Sequence, residues 1–204
     1  MIRPFGEAAL LVELGTVDRA GELAAALRAE APAGIVEVVP GLESVLVELN
    51  PLSADASRII EALHERIALL TGASLRGRLH TIRVAYGGDG LAEVASLIGL
   101  TEAEVVGIHA ASELRVLFCG FAPGFAYLGD LPPELWVERL ATPRTRTPAG
   151  SVAIAGSMSG IYPTDLPGGW RVIGRTAVEL FDPRRDPPAL LLPGDRVRFE
   201  PLDA

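Results

Sequence analysis

Lysine is absent from this 204-residue chain, and all 18 of its basic side chains are arginine. Genomic codon bias is a sufficient cause, but the chemical consequence holds either way. No lysine Schiff base can form with a carbonyl substrate, and no Walker A lysine exists to hold a nucleotide. A phosphate or carboxylate must be held by Arg, by backbone N–H groups or by a partner chain. Cysteine is nearly absent: the single Cys119 rules out an internal disulfide, and in an apolar strand it reads as a buried, inert thiol before a nucleophile. The three histidines, His64, His80 and His109, make no zinc spacing with Cys119, so no metal is expected. His64 and His80 have no companions in sequence and read as surface residues.

Long hydrophobic runs are missing as well. No window approaches a transmembrane helix. The start, MIRPFGEAALLVEL, lacks the basic end, apolar stretch and cleavage site of a signal peptide, so a cytoplasmic location without membrane contact is expected. A formal net charge of −8 argues against nonspecific nucleic-acid binding, which rests on neutralising phosphates. What the chain does have is core-forming material: 49% of its residues are hydrophobic. At this length that supports one large domain or two small ones.

The pattern predicts two domains, residues 1–78 and 79–204. The first reads strand, strand, helix, strand, strand, helix. Strand-like runs cover residues 3–5, 8–14, 35–39 and 44–49. Thr16 or Asp18 caps the first helix, and Ser53 or Asp55 the second. This order suits an antiparallel sheet with both helices on one face. A polar stretch, GASLRGRLH, follows. Beyond it come a strand at 81–86, a short helix at 91–98, and a helix opened by the capping box Thr101-Glu-Ala-Glu104 and running through His109. After Arg115 helical periodicity stops. Short strands at 115–118, 152–155, 170–173, 177–181 and 196–200, separated by turns, predict a closed or nearly closed β-barrel. The overall class is α+β.

Residues 121–176 are dense in Gly, Pro and aromatics, which pack poorly as a plain amphipathic element and instead shape a surface. Arg144 and Arg146, between Pro143 and Pro148, lie two apart in an extended segment and so share a face. Two guanidinium forks on one face suit a carboxylate or phosphate, or else pair with surface carboxylates. Phe121, Pro123, Gly124, Phe125 and Tyr127 form an aromatic wall at a glycine turn, which either lines a flat-ligand pocket or plugs a barrel end. Gly156, Tyr162 and Trp170 extend the candidate wall. His109 either contacts an anion or satisfies helix-end carbonyls. Ser151 and Arg175 complete the candidate substrate or anion contacts, although no nucleophile elbow surrounds Ser151. The loop Ser157-Met158-Ser159 offers backbone N–H groups to an oxyanion. Asp195 reads as a turn residue entering the last strand. No catalytic residue can be assigned.

Taken in order, FAPGFAYLG, ATPRTRTPAGSVAIAG, GIYP, PGGW, IGRT, LFDP and PGDRVRF resemble the bacterial 5-oxoprolinase B-subunit family, also named KipI and allophanate hydrolase subunit 1. The resemblance covers nearly the whole chain. It implies a cyclophilin-like barrel after a small α/β domain. It also implies pairing with a homologous C subunit, and with an A subunit, to open 5-oxoproline to glutamate with ATP held by this chain or elsewhere in the complex. The same module belongs to the carboxyltransferase region of urea carboxylase, and one member inhibits a sporulation histidine kinase. Two departures stand out. The family's FAPGFPYLGGL has Ala126 and Asp130 here, and its Gln before TGIYP or CGIYP is replaced by Met158, followed by Ser159.

Overall fold

Thr16 and Asp55 start the two helices of the first unit. Thr16 Oγ1 accepts from the Arg19 backbone N–H, and Asp55 accepts from those of Ser57 and Arg58. Each cap satisfies donors that a helix end otherwise leaves unpaired. In the computed structural model, which describes residues 1–202, the chain divides into two units, Met1–Leu75 and Arg76–Ala204. The first contains β1 (Ile2–Pro4), β2 (Ala9–Glu13), α1 (Val17–Ala29), β3 (Ile35–Pro40), β4 (Ser44–Leu49) and α2 (Ala56–Leu69). Its antiparallel sheet runs β1-β2-β4-β3. Alternation along β4 turns Val45, Val47 and Leu49 inward, against Leu23 and Leu27 of α1 and Ile59 and Leu63 of α2. Both helices therefore cover one face.

The second unit opens with β5 (Leu79–Tyr86), α3 (Asp89–Ile98), α4 (Glu102–Ala111) and β6 (Glu113–Cys119). It continues through β7 (Ala126–Gly129), a single 3-10 turn, β8 (Arg144–Thr147), β9 (Ser151–Ala155), β10 (Met158–Ile161), β11 (Leu166–Gly168), β12 (Arg171–Arg175) and β13 (Arg196–Pro201). Seven strands close a cyclophilin-like barrel in the order β10-β7-β6-β13-β5-β12-β9, while β8 and β11 form a separate two-stranded piece. Val84, Leu114, Leu128, Val152, Ile154, Ile173 and Val197 fill the core. The capping box that opens α4 is complete in both directions.

The first and last strands of the barrel, β5 and β13, run parallel, in register from Leu79↔Arg196 to Val84↔Pro201. Asp195 ties their starts together. Its carboxylate accepts the Arg78 N–H at 2.8 Å and the Leu192 N–H at 3.0 Å, and it lies 3.0 Å from His80 Nε2. His80 is thus half-buried and partnered, not the lone surface residue its sequence context implied. Asp195 does enter the last strand from a turn, and in doing so joins residues more than a hundred positions apart.

Two further expectations are corrected. Residues 177–181 form no strand: one bridge, Phe181↔Ala189, stands in its place. Pro183, Pro187 and Pro188 have no N–H to extend a ladder there. Ser157 to Ser159 is not an open loop, because β9 and β10 form a tight hairpin pairing Met158 with Ala155 and Ser159 with Ile154. The ladder engages backbone groups that the sequence pattern offered to an oxyanion. Asp130, where the family pattern has Gly, sits at φ 63°, the left-handed region glycine favours. Asp tolerates that region better than most residues, and its carboxylate lies 3.5 Å from Arg115.

Replacing Asp195 by Ala strands three part-buried partners from two segments at once, and we expect it to destabilise the barrel by about 3 kcal/mol. Urea unfolding followed by the fluorescence of Trp136 and Trp170, both in this unit, measures it. An unchanged midpoint would show that Asp195 does not secure the closure.

Candidate functional site

Aromatic residues from three separate segments meet on one side of the barrel. Phe125 precedes β7, Tyr127 lies on β7, Tyr162 follows β10 and Trp170 precedes β12. Phe125 packs edge-on against Tyr127 (5.0 Å), Tyr162 (5.5 Å) and Trp170 (5.7 Å), and Tyr127 meets Trp170 at 5.8 Å. Edge-to-face contacts satisfy the ring quadrupoles. Two glycines make the packing possible. A Cβ on Gly160 would lie 3.0 Å from Phe125 and 3.1 Å from Trp170, and one on Gly168 would collide with the Tyr162 ring and hydroxyl. The rings enclose a cavity of about 230 Å³, rimmed by Phe121, Pro143 and the Pro167-Gly168-Gly169 turn.

Arg139 is the only charged side chain lining this cavity among the described residues. Its guanidinium stands 5.8 Å from the centre of the Trp170 ring, a cation–π distance. Burial raises the phenol pKa of both Tyr127 and Tyr162, and the Arg139 charge offsets part of the shift in each. Both phenols therefore stay protonated and can donate. Phe121 is 57% exposed at the rim with φ 72°, and its ring meets that of Phe125 edge-on at 5.4 Å. A bulky residue in the left-handed region is strained, and such strain concentrates at functional sites.

His109 lies elsewhere, fully buried between α4 and the barrel. Its Nδ1 is 2.7 Å from the Tyr86 hydroxyl and its Nε2 3.0 Å from Ser159 Oγ, which is 3.2 Å from the Ala153 carbonyl. The Ala153 carbonyl can only accept. Ser159 therefore donates to it and accepts from Nε2–H, and Nδ1 accepts from Tyr86. The ring stacks on Phe199 at 4.6 Å. Burial lowers the His109 pKa from 6.5 to about 3, so the ring is neutral. The serine proton points away from the imidazole, the wrong direction for an activated nucleophile.

The other candidates are spread out. Of the sequence-derived wall, Phe121, Phe125, Tyr127, Tyr162 and Trp170 line the cavity. Pro123, Gly124 and Gly156 do not: the first two belong to the turn ahead of β7, with Gly124 backed against Leu180 and Phe181, and Gly156 turns the β9–β10 hairpin. Arg144 donates to the Trp170 carbonyl at 2.9 Å, and Arg146 pairs with Asp165. Arg175 donates to the Ala149 carbonyl, and Ser151 is buried at the start of β9. Met158, where the family has Gln, packs on the aromatic cluster. Arg139 was missed by sequence reading. Its segment, WVERLATP, has no glycine or paired arginine to mark it, and only the fold brings it to Trp170.

A closed barrel carrying an aromatic cavity, in a chain that begins with an antiparallel sheet backed by two helices, defines a carboxyltransferase-type module. The chain matches the carboxyltransferase domain, subdomain C and D, over residues 1–191, and belongs to that family. It is 47% identical over 173 residues to the B subunit of 5-oxoprolinase from Escherichia coli O157:H7, covering 82% of this chain and 78% of that one. Against the B subunit of 5-oxoprolinase from Bacillus subtilis strain 168 it is 35% identical over 218 residues, covering 97% and 91%. It is thus a member of the 5-oxoprolinase B-subunit family. Among solved structures, TTHA0988 superposes with a TM-score of 0.85 at 36% identity, over all of this chain, which spans 40% of that one. The uncharacterized protein PH0987 of Pyrococcus horikoshii gives 0.59 at 39% identity, over 100% and 98%. The Kluyveromyces lactis urea amidolyase, at 0.80 and 22% identity over 98% of this chain and 15% of that one, shares the fold.

The buried histidine gives a pH signature. Its folded pKa is depressed, so the unfolded chain takes up a proton first as pH falls, and stability declines from about pH 6.5 towards 3. Between pH 6.5 and 4.5 this one group costs roughly 2–3 kcal/mol. His109→Gln, which does not titrate, should lose that part of the slope in denaturant titrations at a series of pH values. Identical slopes for the two proteins would refute the assignment.

Proposed function

We propose that this chain is the B subunit of an ATP-dependent 5-oxoprolinase, acting with the C and A subunits on 5-oxoproline. The observation that carries the reading is the 47% identity to a relative of that name, together with an aromatic cavity bearing one arginine. The reaction is demanding because a lactam carbonyl is a poor electrophile. Phosphorylation of the amide oxygen by ATP activates the carbon towards water. Across the cycle two waters are consumed, the ring C–N bond breaks, and glutamate, ADP and phosphate are released.

The cavity supplies the binding half of this chemistry. Its rings exclude water and hold a small flat ring, and the Tyr127 phenol and the Arg139 guanidinium meet developing negative charge, while the Tyr162 hydroxyl is held by the Trp170 backbone and Thr147. Acid–base groups and the ATP contacts come from the partner chains, so the working site is shared. The alternatives read from sequence, a histidine-kinase inhibitor and an allophanate- or urea-carboxylase-related subunit, have less behind them. The curated relatives carry the 5-oxoprolinase name, and the likeness to urea amidolyase is one of fold.

The test is reconstitution. Co-purification with the C and A subunits should give a complex that forms glutamate and ADP in equal amounts from 5-oxoproline and ATP, with none from this chain alone. A pure three-component complex inert towards 5-oxoproline would overturn the proposal.

A further inference from the structure

The two arginines that the sequence marked for anion binding are already engaged. Arg144 holds the Trp170 carbonyl, and Arg146 is paired with Asp165 at the surface. Arg139 is different. It makes no ion pair and no side-chain hydrogen bond among the described residues, and its contact is the face of Trp170. Other arginines also lack a carboxylate partner; what sets Arg139 apart is that its free guanidinium lies on the cavity.

The backbone on either side of Arg139 is fixed. The Glu138 carbonyl accepts from Arg171 Nε at 2.9 Å, and the Leu140 N–H donates to the Gly169 carbonyl at 2.7 Å. Arg171 is in turn held by Glu93 at 2.6 Å. The side chain is therefore presented from an anchored segment while its charged end stays uncommitted, an arrangement that lowers the ordering cost of binding. A cage of Phe, Tyr and Trp faces attracts cations. Here the chain's own guanidinium already occupies that role at Trp170, so the complementary ligand brings an anion.

We propose that Arg139 is the carboxylate-binding residue of the aromatic cavity, and that the cavity takes a small planar ring bearing one carboxylate. The ring lies among Phe125, Tyr127 and Trp170, and the carboxylate meets the Arg139 fork. Phe121 closes the rim. This deepens the reading of the site as one for 5-oxoproline, and rests on it only for the name of the ligand.

Two measurements test it. In the three-component complex, Arg139→Met keeps the side chain's apolar stem and removes its charge. It should raise KM for 5-oxoproline about ten- to a hundred-fold, the scale of a lost charge-assisted hydrogen bond. Inhibition by 2-pyrrolidinone, the same ring without the carboxylate, should be unchanged. An unchanged KM, or equal weakening of both molecules, overturns the assignment while leaving the proposed activity standing. If the complex does not act on 5-oxoproline, calorimetric titration of this chain with benzoate decides separately. Saturable binding abolished by Arg139→Met sustains the carboxylate site, and its absence overturns it. Phe121→Gly guards against misfolding as an explanation: it relieves the left-handed backbone, so Tm should hold or rise while ligand binding weakens, and undiminished binding removes Phe121 from the site.

Discussion

The barrel closes through the parallel pairing of β5 with β13, and the Asp195 carboxylate holds the starts of those two strands in register. A parallel pair gains nothing from a tight turn, because its strands must arrive from distant parts of the chain. Here β5 opens the unit and β13 ends it, so the pairing joins the two ends of the unit across a long stretch of chain. From its place just ahead of β13, the carboxylate meets Arg78 and His80 at the start of β5 and the Leu192 N–H of its own turn. Once the ends are joined, β6, β7, β9, β10 and β12 have fixed places. The segments that carry Phe125, Tyr162 and Trp170 then converge.

The aromatic cavity is a consequence of that convergence and of side chains that are absent. Gly160 lets Phe125 and Trp170 lie on the β10 backbone, and Gly168 lets the Tyr162 ring approach β11. A methyl group at Gly168 would collide with the Tyr162 ring, and one at Gly160 would crowd Phe125 and Trp170. Arg144 and Arg171 act on the same region through the main chain, one holding the Trp170 carbonyl and the other the Glu138 carbonyl. Arg144, which the sequence marks as a ligand contact, thus serves as a support. The uncommitted charge falls to Arg139, the residue between two pinned backbone positions. The neutral relay from Tyr86 through His109 and Ser159 to Ala153 fastens the hairpin whose Gly160 lies against Phe125 and Trp170.

Much of this was legible beforehand where the physics is local. Thr16, Asp55 and the Thr101–Glu104 box mark helix starts because capping involves residues three apart. Alternation in β4 reveals a half-buried strand because side chains in a strand point to opposite faces. The run of Gly, Pro and aromatics in residues 121–176 signals a shaped surface, and most of its aromatics do line the cavity. The failures are of the opposite kind. His80 looked solitary because its partner is 115 positions away. Residues 157–159 looked like a loop because a tight hairpin and an irregular turn share a glycine-rich composition.

The sequence by itself determined the element order of the first unit, the two kinds of architecture and the family, because caps, periodicity and ordered motifs are properties of neighbouring residues. It also determined that the cationic contact to any anion comes from arginine or from a partner chain, since lysine is missing. Which arginine meets it was decided only in three dimensions. All the guanidinium groups are chemically alike, and they differ in what the fold places beside them: a carboxylate for Arg146, a carbonyl for Arg144, and the open face of Trp170 for Arg139.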